Sequence, residues 1–180
     1  MERPRLLAIL PAVVAINACT MIGSPELAVP PAPTAADIPD LTPRAEPPSR
    51  GGNMAEYEQN GATYQVLDTS YGYDERGIAS WYGEAFQGNP TSNGETYDMH
   101  KLSAAHRTLP LPSYVEVTNL SNGRRVVLRV NDRGPFHDTD TRIIDVSYAA
   151  AIRLGMVRTG TASVRVRAVE PWQYRVRGDA

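Results

Sequence analysis

Residues 114–136 read YVEVTNLSNGRRVVLRVNDRGPF. Two alternating runs, 114–119 and 124–130, are separated by a segment ending in Asn122-Gly123. Asn-Gly between alternating runs is the strongest short-range signal of a β-hairpin. The second run ends on Asn131-Asp132-Arg133-Gly134-Pro135. All but the arginine are strand-stopping residues, so one reading makes Asp132 a turn residue bonded to its own backbone. A carboxylate at the mouth of a strand is also well placed for acid catalysis, because the strand holds it while the loop leaves it facing a cleft. Both readings stand on this stretch alone.

Working outward, residues 77–82 (GIASWY), 142–146 (RIIDV) and 163–169 (SVRVRAV) read as further strands. Ser147 caps a short helix over 148–154 that Gly155 stops, and Asp145 reads as making structural bonds just before that cap. Many short strands with one small helix predict a mainly β fold, a closed or nearly closed barrel over residues 77–171. That length is enough for one core. Residues 172–180 form a short tail.

The rest of the chain is different material. The formal net charge of −2 conceals a split: residues 20–76 hold nine acidic and three basic residues, residues 77–171 nine acidic and eleven basic. Residues 19–76 are rich in proline and lack an apolar period, so they read as a disordered tether, and a truncation beginning at Gly77 is expected to fold and keep its activity. Tyr57, Tyr64 and Tyr71, seven apart, leave open a strap packed on the barrel. Before the tether, Arg3 and Arg5 precede an apolar run, 6–16, too short to span a bilayer, and then Ala18-Cys19. This is the layout of a secretory signal, here over residues 1–18. Cys19 is the lone cysteine, so no intrachain disulfide forms. Lipidation accounts for it; a cleaved signal with a leftover thiol is the alternative.

Three segments carry polar residues that a barrel core does not require: 91–98 (TSNGETYD), 102–110 (LSAAHRTLP) and the turn at Asp132. Glu95, His106 and Asp132 supply two carboxyls and an imidazole, the parts for acid/base chemistry if the fold brings them together. Each also has a plainer reading, as a turn closer, a buried histidine and a strand stop. Trp81 and Tyr82 read as a sugar platform or as core. His100, His106 and His137 show no ligand spacing, so no metal is expected, and no cofactor either. Phosphate-loop and nucleic-acid signatures are missing.

GIASWYG (77–83), TSNGE (91–95), LSAAHRTLP (102–110), VTN (117–119), VNDRGPF (130–136) and IDVSYAAA (144–151) together resemble the rare lipoprotein A family. The resemblance implies a six-stranded double-psi β-barrel and an endolytic, septal peptidoglycan lytic transglycosylase that prefers strands stripped of stem peptides. Such enzymes cleave the bond between N-acetylmuramic acid and N-acetylglucosamine without water and leave 1,6-anhydro ends. It implies Asp132 as the acid/base, Glu95 tuning that acid or holding substrate, and His106 orienting Asp132 or stabilising charge. Asn93 and Arg133, from the same motifs, join Trp81 and Tyr82 as substrate-binding residues. Residues 16–19 resemble a lipobox, with Asn17 a less usual choice, and Thr20 implies sorting to the periplasmic face of the outer membrane. Nine residues follow Pro171, so the glycan-binding SPOR domain common in the family is not expected here. Two classes remain: the enzyme, and a non-catalytic peptidoglycan-binding lipoprotein.

Overall fold

The computed structural model describes residues 33–171. The expected signal segment, Cys19 and the tail lie outside the described residues. The elements in chain order are β1 (Glu56–Gln59), β2 (Ala62–Gln65), β3 (Asp74–Tyr82), β4 (Ser103–His106), β5 (Ser113–Asn119), β6 (Arg125–Asp132), β7 (Arg142–Ser147), α1 (Tyr148–Leu154) and β8 (Thr161–Ala168). Strands β3 to β8 close a six-stranded barrel in the order β3-β7-β4-β6-β5-β8. The pairs β3/β7 and β4/β6 are parallel and the other four antiparallel, the mixed pattern of a double-psi barrel.

The hairpin read from residues 114–136 is β5 and β6, with Gly123 at φ 71° where a side chain is disfavoured. Alternation puts Val115, Val117, Leu128 and Val130 inside the barrel, where they meet Ile144, Val146, Val164 and Val166. Ser147 Oγ accepts the Ala150 N–H at 3.2 Å, and Gly155 ends α1 in the left-handed region, both as the sequence predicts. The helix covers one end of the barrel with Ala149, Ala150, Ala151 and Leu154. Asn119 and Asn122 of the hairpin each donate to the Leu154 carbonyl at 3.0 Å, so the turn satisfies the helix end.

Two features depart from the sequence reading. Strand β4 was not foreseen: Ser-Ala-Ala-His is short, does not alternate, and is buried at all four positions between β6 and β7. The larger departure is in the segment read as tether, whose described part, 33–76, packs on the barrel. Its end, Asp74–Arg76, already belongs to β3 and pairs with Arg165–Arg167 of β8, so a truncation at Gly77 cuts a barrel strand. Ile38 is buried in the core cluster, and its carbonyl accepts from Arg153 at 2.5 Å. β1 and β2 form a hairpin through Asn60 (φ 52°) and Gly61 (φ 76°), and Tyr57 stacks on Tyr64 with centroids 5.3 Å apart. Both rings pack on Phe136, at 6.2 and 5.6 Å. The strap is therefore real, except that Tyr71 is 73% exposed.

Leu111, fully buried, ties strap to barrel. Its carbonyl accepts from Ser49 N at 2.8 Å and Asn53 Nδ2 at 2.6 Å, and its N–H donates to Asn53 Oδ1 at 2.7 Å. Asn53→Ala strands that buried N–H, and an unsatisfied buried donor costs about 1–3 kcal/mol. A loss of about 2 kcal/mol in urea denaturation is expected; a loss below about 0.5 kcal/mol, the range of an ordinary surface change, would mean the strap is not part of the fold.

Candidate active site

The β4/β6 register slips between Ala104 and Ala105: Ala104 faces Val130, but Ala105 faces Asp132. Two residues of β6 thus stand against one step of β4, a bulge that breaks alternation and re-aims the side chains at the strand end. Both polar residues there meet one loop, 91–95. Asp132 Oδ1 accepts from Ser92 N at 2.8 Å, Ser92 Oγ at 2.7 Å and Arg133 N at 2.8 Å. Its Oδ2 takes no hydrogen bond among the described residues. Asn131 donates to Glu95 Oε2 at 2.9 Å, while its own Oδ1 is buried without a partner among the described residues.

The loop is braced from within. Thr91 N donates to Glu95 O at 2.7 Å, Gly94 N to Thr91 O at 2.8 Å, and Thr91 Oγ1 to Asn93 Oδ1 at 2.7 Å. Gly94 sits at φ 90°, a backbone that side chains rarely adopt. Asn93 Nδ2 donates to Glu95 Oε1 at 3.0 Å, so Asn93 helps to aim Glu95. Arg129 grips Glu95 with two nitrogens, Nη1 to Oε2 at 2.7 Å and Nη2 to Oε1 at 2.9 Å. Partial burial pushes the Glu95 carboxyl up, but the hydrogen bonds from Arg129, Asn131 and Asn93 outweigh it and hold it below the usual range. Glu95 is consequently ionised at neutral pH, with 43% of its side chain exposed. It lines a cleft of about 710 Å³ with Arg129 and Asn131, faced by Ile38 and Leu41 of the strap. Asp132 lies just beyond that lining. Neither carboxylate bonds the other.

His106 sits as its plainer reading has it, a satisfied buried histidine. Its ring is 3% exposed; Nδ1 accepts the N–H groups of Thr108 (3.2 Å) and Leu109 (3.1 Å), and Nε2 meets the Tyr73 hydroxyl at 2.8 Å. Two donors on Nδ1 put the proton on Nε2, which donates to Tyr73; Tyr73 in turn donates to Glu75 at 2.5 Å. Both nitrogens are taken, so His106 neither orients Asp132 by a hydrogen bond nor carries a charge to it. Arg133 is also structural. It donates to the carbonyls of His106 (3.0 Å), Leu109 (2.5 Å) and Gly52 (2.6 Å) and lies over the Tyr57 ring. Trp81 is half-buried against the core and Tyr148, and Tyr82 stacks on Tyr97 at 4.3 Å. The Tyr82 hydroxyl is buried with Ser103 as a polar neighbour but no hydrogen bond of normal geometry. Asp145 accepts from Ser80 and from Arg142 (2.6 Å), the structural bonding expected of it. Ser92, Asn131, Arg129 and its second partner, Glu46, were missed. Only the first two had a local signal, as neighbours of the carboxylates.

The family described as lytic transglycolase matches residues 74–166. This chain belongs to the RlpA-like lytic transglycosylase family. It is 54% identical over 132 residues to the endolytic peptidoglycan transglycosylase RlpA of Vibrio cholerae, covering 73% of this chain and 49% of that one. It is 51% identical over 138 residues to the RlpA of Pseudomonas aeruginosa strain UCBPP-PA14, covering 76% and 39%. The chain thus spans half or less of the length of these curated relatives. A solved structure, the Streptomyces papain inhibitor (SPI), is similar over 57% of this chain and 100% of its own, at 25% identity and TM-score 0.45.

Burial first, then the charges of Arg107 and Arg133, lowers the His106 pKa from 6.5 to about 3. A histidine in the unfolded chain titrates near ~6.5, so the neutral ring's contribution is fully present above that pH. It is lost as pH falls toward about 3, at up to about 1.4 kcal/mol per pH unit. His106→Gln should flatten the fall in urea-derived stability between pH ~6.5 and ~4. Parallel curves for the two proteins would contradict a buried neutral imidazole.

Proposed function

We propose that this chain is an endolytic peptidoglycan lytic transglycosylase that cleaves MurNAc–GlcNAc bonds in strands lacking stem peptides and leaves 1,6-anhydromuramoyl ends. The observation that carries this reading is the bulged end of β6, where one loop gives two carboxylates two different environments beside a cleft. Glu95 is held ionised by Arg129 and Asn131, and an anion cannot donate a proton. Asp132 has one oxygen saturated by Ser92 and Arg133 and the other without a hydrogen bond among the described residues, the place for a transferable proton.

Asp132 acts as the acid and then the base. Its Oδ2–H protonates the glycosidic oxygen as the C1–O bond of MurNAc breaks, and the GlcNAc end leaves as an alcohol. Positive charge builds at C1 and the ring oxygen, where the fixed Glu95 anion stabilises it. Asp132, now a carboxylate, takes the proton of the sugar's own C6 hydroxyl as O6 attacks C1, which closes the anhydro ring and restores the acid. Water is not consumed. We propose further that Cys19 is lipidated, on the strength of the apolar run ending at Ala18-Cys19, and anchors the protein on the periplasmic face of the outer membrane.

Asp132→Asn keeps an acceptor oxygen for Ser92 but cannot shuttle a proton. It should reduce anhydro ends, read by mass spectrometry of incubated glycan strands, by about 10²-fold or more while glycan binding persists. Undiminished yield would remove Asp132 from the chemistry. A wild type that binds strands and releases no ends would instead favour a non-catalytic peptidoglycan-binding lipoprotein.

A further inference from the structure

We infer that Glu46, in the strap outside the matched family region, is a positioning residue for the site: it fixes the Arg129 guanidinium, which in turn fixes the Glu95 carboxylate at the cleft. Arg129 stands between two carboxylates. Its Nε and Nη2 edge meets Glu46, at 3.0 Å to Oε1 and 2.9 Å to Oε2. Its Nη1 and Nη2 edge meets Glu95, at 2.7 and 2.9 Å. A planar guanidinium bound along two edges is held against both rotation and translation, which one bidentate pair does not achieve. Glu46 is itself oriented by the Tyr114 hydroxyl, which donates to Oε1. The Glu46 and Arg129 side chains are 17% and 16% exposed, Glu95 43%, so the reachable end of the relay is the carboxylate facing the cleft.

The chemistry of the proposed reaction gives this relay a purpose. A carboxylate that stabilises charge forming at a sugar carbon works best when its position is set before the charge appears. Arg129 alone, on a long flexible stem, holds it less well than Arg129 clamped from behind. Glu46 also holds the strap next to its residues 38–41, which face Glu95 across the cleft, so the residue that aims the carboxylate helps place the opposite wall. The catalytic part of this inference rests on the transglycosylase reading; the positioning part does not.

The test uses the full chain. The Glu95 carboxyl carbon, assigned with Glu95→Gln, is titrated by NMR in wild type and in Glu46→Ala. Glu46→Ala also removes a like charge, which by itself lowers the Glu95 midpoint, so it is read against Glu46→Gln, which removes the same charge but keeps the volume and one acceptor. With Arg129 no longer oriented, the Glu95 midpoint should be higher in Glu46→Ala than in Glu46→Gln. Glu46→Asp, which keeps the charge and shortens the reach, should raise it above the wild-type value and serves if Glu46→Ala does not fold. Where the wild type releases anhydro ends, Glu46→Ala should lower kcat about tenfold with KM changed by less than about twofold. A Glu95 midpoint in Glu46→Ala no higher than in Glu46→Gln, or in Glu46→Asp no higher than in wild type, even with a lower melting temperature, means that Arg129 holds Glu95 unaided and overturns the inference. Absence of anhydro ends from the wild type would sink the functional reading and leave the titration to decide the positioning.

Discussion

A one-residue bulge at the end of β6 is the constraint from which the site follows. Had β6 stayed in register with β4, Asn131 and Asp132 would point to opposite faces, and one loop could not serve both. The slip between Ala104 and Ala105 turns them so that Ser92 meets one and Glu95 the other. Because β4 and β6 are parallel, the segments that follow them leave the barrel side by side. Arg107 donates to the Pro135 carbonyl at 3.2 Å, and Arg133 to those of His106 and Leu109. His106 completes this shelf from inside by accepting the N–H groups of the turn after β4. Loss of His106 would therefore disturb Asp132 through the backbone that supports it, with no direct contact needed.

The same turn is held from outside by residues that a domain boundary at Gly77 would discard. Tyr57 and Tyr64 pack on Phe136, and Gly52 accepts from Arg133, so the strap grips the loop after Asp132. Further along, the strap carries Glu46 to Arg129 and hence to Glu95. Acidic, proline-bearing sequence is here a structural part that works through side-chain and backbone hydrogen bonds, with Ile38, Tyr57 and Tyr64 as its apolar anchors.

Those two cases mark the reach of sequence reading. The β5/β6 hairpin, the Ser147 cap and the Gly155 stop were legible because each leaves a local signature: alternation, an Asn-Gly pair, a hydroxyl before a helix. Strand β4 was not, since four small buried residues have no period to detect. The β1/β2 hairpin did carry a signal, Asn60-Gly61 between two tyrosine-bearing runs, passed over because it was read as one tether with the proline-rich residues 25–48 before it. In the site, Glu95 and Asp132 were legible as carboxylates beside glycine turns. Glu46 was not, standing 83 residues from Arg129 with no pattern linking them. Arg133 was read as a ligand from its place beside Asp132, and its donors go to main-chain carbonyls that no sequence pattern marks.

The central claim is that Asp132 turns the sugar's own C6 hydroxyl into the nucleophile, leaving water out of the reaction. Digestion of purified, peptide-free glycan strands in H₂¹⁸O, followed by mass spectrometry of the fragments, measures this directly. The account predicts anhydro-ended fragments that carry no ¹⁸O; fragments with ¹⁸O-labelled reducing ends would show that water attacks C1 and would contradict it.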